Sequence, residues 1–123
     1  MIKVCHMTSA HEEEDIRIFR KECVSLAEAG YEVYLVERGD SYDKNGVHIV
    51  GVGEIPTSRL KRMTEGAKMV YQAARALDAD IYHFHDPELL PYGLKLKKAG
   101  KKVIFDSHEM YTEQIREKPY LPH

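Results

Sequence analysis

Asp80-Ile81-Tyr82-His83-Phe84-His85-Asp86-Pro87-Glu88-Leu89-Leu90 reads as a strand that ends in a polar cluster and opens directly into a helix. Successive side chains of an extended strand point to opposite faces, so His83 and His85 share one face and Tyr82 and Phe84 the other. Asp86 stands where an N-cap belongs, Pro87 suits the first helical position, and Glu88 complements the positive helix end. Two imidazoles, a carboxylate and free backbone N–H groups thus converge at the C-terminal end of a strand. In open α/β sheets ligands bind at that end.

The chain before this stretch alternates strands and helices. Ile2-Lys3-Val4-Cys5-His6-Met7 is a short apolar run, followed by a polar loop over residues 8–14 without glycine. A first helix is expected from about Asp15, with Ile16, Phe19, Cys23, Leu26 and Ala27 on its apolar stripe and Gly30 ending it. Tyr31-Glu32-Val33-Tyr34-Leu35-Val36 alternates as a second strand, residues 40–46 read as turn chemistry, and residues 47–52 as a third strand. After Pro56, Thr57 or Ser58 can cap a long helix carrying Leu60, Met63, Ala67, Val70, Ala74 and Leu77 at three-four spacing.

Beyond the opening stretch, a helix over residues 87–99 leads into a fifth strand over residues 102–105, and residues 110–123 show little periodicity. Leu26-Ala27-Glu28-Ala29-Gly30-Tyr31-Glu32-Val33 and Leu96-Lys97-Lys98-Ala99-Gly100-Lys101-Lys102-Val103 both spell L-x-x-A-G-x-x-V. Each ends a helix at a left-handed glycine and starts a buried strand, so two helices stand in one relation to one parallel sheet. The expected fold class is α/β: a Rossmann-like open parallel sheet ordered 3-2-1-4-5 with helices on both faces. With that order the fifth strand is an open apolar edge, and self-association through it is expected.

Composition narrows the function. The 123 residues make one domain at most, and 43% apolar with 31% charged residues is ordinary for a globular chain. A net charge of -2 argues against nucleic acid as a partner. Two cysteines, Cys5 and Cys23, read as buried hydrophobes of a reducing cytoplasmic compartment. No apolar run approaches the ~18 residues of a membrane span; a peripheral contact at the inner face of a membrane is left open.

Three strand ends deliver polar groups to one edge: Thr8 and Ser9 with His11 and Asp15 beyond them, then His83, His85 and Asp86, then Ser107, His108 and Glu109. Each has a plain structural reading. Asp86, Asp15 and Ser107 serve as caps, Arg17 as a solvated helix residue, and His83 equally as a core histidine or a ligand. His108, in a loop after an apolar strand and followed by a carboxylate, resists that reading best. His-x-His-Asp offers zinc ligand types, but no second close-spaced pair accompanies it, and no metal is expected. A G-x-S-x-G elbow and a G-x-G-x-x-G loop are both missing.

Residues 11–33, reading H-x-x-x-D-x-R-I-F-x-K-E-x-x-S-L-x-x-A-G-Y-E-V, resemble the opening of a bacterial subgroup of family 4 retaining glycosyltransferases. The H-x-H-D-P-E-L-L-P run at residues 83–91 and the F-D-S-H-E-x-Y run at residues 105–111 are similar to the same group. The resemblance implies the GT-B architecture, with residues 1–123 as the acceptor-side N-terminal domain, incomplete, and the donor-binding domain absent. It implies transfer of a sugar, with retention, from a nucleotide-sugar to a glycan or lipid-linked acceptor in cell-surface polysaccharide or glycoconjugate synthesis. The isolated chain is expected to be inactive. The nucleotide-sugar is co-substrate and no metal is required. His108 takes the catalytic position, and His11, Asp15, Arg17, His83, His85, Asp86 and Glu109 become substrate-binding residues of the cleft. One departure is the loop Met7-Thr8-Ser9-Ala10-His11, where many members carry Gly-Gly. The competing reading is a stand-alone Rossmann-like binding domain or a zinc-dependent hydrolase built on the histidines.

Overall fold

The computed structural model describes residues 1–9, 13–55 and 58–105, and for residues 13–19 the backbone alone. The apolar run at the start forms β1 (Lys3–Met7), followed by α1 (Glu13–Glu28), β2 (Glu32–Glu37), β3 (Tyr42–Lys44) and β4 (Val47–Gly51). A helical run follows in three parts: α2 (Arg59–Lys61), a π turn (Arg62–Gly66) and α3 (Ala67–Leu77). Then come β5 (Ile81–Phe84), a 3-10 turn (Pro87–Leu89), α4 (Leu90–Lys98) and β6 (Lys102–Phe105).

The sheet order is β3-β4-β2-β1-β5-β6. The five strands read from sequence stand in the expected order and all pair in parallel. β3 is an addition: residues 40–46, read as turn alone, hold a short strand antiparallel to β4, with Asn45 and Gly46 at positive φ in the turn. Helices cover both faces. Cys5, Met7, Tyr82, Phe84, Leu89 and Leu96 belong to the larger core, with Ala67, Val70 and Ala74 of α3. A smaller core beneath α1 joins Cys23 to Val33, Leu35, Val47 and Ile49. Both cysteines are free and buried, as expected, and burial pushes their thiols far above the ordinary range.

The repeated L-x-x-A-G-x-x-V joint has one geometry in both copies. The Tyr31 and Lys101 N–H groups donate to the carbonyls of Leu26 (3.2 Å) and Leu96 (3.1 Å). Those of Gly30 and Gly100 donate to Ala27 (3.1 Å) and Lys97 (3.0 Å). Both are Schellman endings, with the glycines at φ 102° and 91°.

Three expectations need correction. Helix α1 starts at Glu13 rather than Asp15. Ser58 caps the second helical run, accepting from the Lys61 N–H, but the three-four stripe does not hold through it. The π turn inserts an extra residue and shifts the phase. Ala67, Val70 and Ala74 are therefore buried while Leu60 is 73% exposed. Ile104 of the fifth predicted strand is not core but 42% exposed.

Candidate functional site

From β1 the chain moves through β2 to β4 on one side of the sheet, then returns to β5 and β6 on the other. β1 and β5 are thus the neighbours at which the direction of winding reverses, and their C-terminal ends open the crevice where such sheets bind ligands. The loop after β1 supplies Thr8 and Ser9, and the end of β5 supplies His85 and Asp86.

Asp86 occupies the N-cap position, yet its carboxylate makes no capping bond. It reaches across to β1's loop instead. Asp86 Oδ2 accepts from the Thr8 hydroxyl (2.9 Å) and from the Ser9 backbone N–H (2.9 Å). The Ser9 hydroxyl donates to Glu88 Oε2 (2.7 Å), and Arg62 Nε of the π turn lies 3.5 Å from the same oxygen. Thr8 and Ser9 are fully buried, so they form the wall of the crevice rather than its mouth. Burial raises the Asp86 carboxyl above its ordinary range, against the opposing pull of the Ser9 and Thr8 bonds. The two carboxylates thus fix the loop beside which a ligand would lie. At the end of β2 a third buried carboxylate, Glu37, pairs with Arg20 of α1 (2.7 Å).

His83 and His85 share a face, as the alternation requires, and a third imidazole joins them. His6 of β1 is the register partner of His83 across the parallel pair. Ring centroids lie 4.5 Å apart for His6–His83, 4.8 Å for His83–His85 and 6.2 Å for His6–His85. His6 and His85 are buried and His83 is half-buried. Burial, reinforced by the two neighbouring imidazoles, lowers His6 to about 3. Glu22 of α1 approaches the trio, its Oε1 3.5 Å from His85 Nε2.

Of the residues singled out from sequence, the structure brings together His83, His85 and Asp86 with Thr8 and Ser9. His11, His108 and Glu109 lie outside the described residues, as do the side chains of Asp15 and Arg17. Sequence reasoning missed His6, Glu22, Arg62 and Glu88 as partners in the site. His6 was findable, because it lies two residues before Thr8 and so shares that residue's side of the sheet. Arg62 carried no signal, because its direction depends on the π turn.

The chain matches the family described as Glycosyltransferase Family 4 over residues 19–123. It belongs to glycosyltransferase family 4. No curated protein sequence matches this family 4 domain. Among solved structures, sucrose-phosphate synthase from Thermosynechococcus elongatus superposes with a TM-score of 0.67 at 14% identity. At that identity the likeness is one of fold. The overlap covers 94% of this domain and 35% of the synthase chain, so the domain spans about a third of that protein. No helix among the described residues is long and apolar enough to cross a membrane.

Proposed function

We propose that this domain is the acceptor-side half of a retaining glycosyltransferase that moves a sugar from a nucleotide-sugar to a glycan or lipid-linked acceptor. The observation that carries the reading is the family match across residues 19–123, which takes in both the His83-x-His85-Asp86-Pro87 and the Asp106-Ser107-His108-Glu109 runs. The crevice at the β1–β5 switch point supports it, because the first of those runs forms one of its walls. A second, donor-binding domain would face this crevice, in keeping with the 35% share of the synthase chain that the domain spans.

In this reading His108 works beside the sugar being transferred. His11, Asp15, Arg17, His83, His85, Asp86 and Glu109 line or support the acceptor side. Retaining transfer requires stabilisation of an oxocarbenium-like centre and a departing diphosphate, which positioned dipoles and cations supply without a metal ion at the reacting atoms. The test is made on the enzyme that contains this domain, by release of nucleoside diphosphate from a panel of nucleotide-sugars. Turnover is expected with at least one donor. His108→Ala should lower it by ~100-fold or more with the melting temperature unchanged. Absence of turnover with every donor, or equal loss of melting temperature and activity, would overturn the proposal.

A further inference from the structure

We infer that His6, His83 and His85 bind a divalent transition-metal ion of the zinc type, with Glu22 of α1 as the carboxylate beside His85. One ring nitrogen from each histidine lies within 4.8 Å of the others. Imidazole nitrogens with one carboxylate oxygen are ordinary ligands for zinc and its neighbours. A tetrahedral centre with Zn–N bonds of about 2.0–2.1 Å needs nitrogens about 3.3 Å apart, so each ring must move inward by less than ~1 Å. His6 and His83 are fixed in register by β1–β5 pairing, and His85 follows on the same face, so the backbone already converges the three.

Three further observations favour an ion over a plain core packing of rings. His6 is 1% exposed, and neither of its ring nitrogens has a hydrogen-bond partner among the described residues. Burying such a group unpaired is costly, and coordination would satisfy it. Glu22 Oε1, already 3.5 Å from His85 Nε2, is a buried carboxylate oxygen from a different element. Finally, His83 is half-buried beside exposed Ile104, its register partner on β6, which leaves a side from which an ion can enter.

With Glu22 of α1 against His85, the ion would sit below the crevice floor and tie β1 to β5. It is a structural site that would hold His83 and His85 beneath the acceptor side, and its metal binding is read without the transfer reaction.

The probe is zinc or cobalt(II) added to the chelator-treated chain. Zinc should raise the melting temperature by ~4 °C or more, reversibly with chelator. Cobalt should give the intense visible ligand-field bands of a tetrahedral site and three strongly shifted exchangeable imidazole N–H resonances, one per ligating histidine. His83→Gln should weaken zinc binding by ~10-fold or more, whereas His48→Gln, on the exposed β3–β4 hairpin, should leave it intact. Should His83→Gln fail to fold, the count of shifted resonances in the unmodified chain still decides. No thermal shift, an octahedral spectrum, fewer than three such resonances, or equal affinity in His83→Gln would overturn the inference.

Discussion

Asp86 shows how one side chain can leave its local role for a tertiary one. Its position before Pro87 is that of a cap, but the carboxylate turns to β1's loop and satisfies two buried donors, the Thr8 hydroxyl and the Ser9 N–H. Asp86→Ala would strand both donors away from water, and should cost about 2–3 kcal/mol in denaturant unfolding. Asp86→Asn keeps an acceptor oxygen and removes a charge that burial already disfavours, so its cost should stay near ~1 kcal/mol. An alanine variant no less stable than the asparagine one would return Asp86 to the role of an exposed cap. Sequence could place His83, His85 and Asp86 together because strand periodicity is local. It could not show that Asp86 faces backward, nor that the His6 ring lies tilted against that of His83, since both depend on the register in which β1 pairs with β5.

Helix ends and strand starts were legible for the same reason: a Schellman glycine is a local device, and the two copies in this chain differ by only 0.1 Å in their closing bonds. Helix faces were legible only where the helix is regular, and the π turn at Arg62–Gly66 is why Leu60 ended on the solvent side. The contact of α4 with β5 makes a close demand on a single residue. A Cβ at Gly93 would lie 2.5 Å from Phe84 Cε1 and 2.6 Å from Cζ. The Phe84 ring is fully buried and packs on Phe105 at 5.1 Å between centroids, so it cannot swing aside. Gly93→Ala would gain about 1 kcal/mol of helix propensity but incur about 1–3 kcal/mol of overpacking. The clash should win, and the variant should unfold at lower urea than the parent chain. A gain in midpoint would mean that α4 can lift off β5 at no cost.

At the scale of the whole molecule, the parallel sheet was legible from two repeated joints and five apolar runs, whereas β3 was hidden because three exposed residues carry no burial pattern. The two ends of the sheet differ as a result. β3 closes one edge with a charged, exposed strand, Tyr42-Asp43-Lys44, which discourages further pairing. At the other edge β6 pairs with β5 alone among the described strands, and Ile104 stands 42% exposed on it. Such an edge can template a strand of a second copy, with Ile104 gaining apolar contact on pairing. The 123-residue chain should therefore self-associate at high concentration, and Ile104→Lys should weaken that association by placing a charge on the pairing edge. Because Ile104 lies outside both buried clusters, the same substitution should change monomer stability by no more than ~0.5 kcal/mol. Light scattering and urea unfolding on both proteins separate the two effects. A monomeric parent chain, or a lysine variant that associates as tightly as the parent, would show that β6 is not the pairing edge.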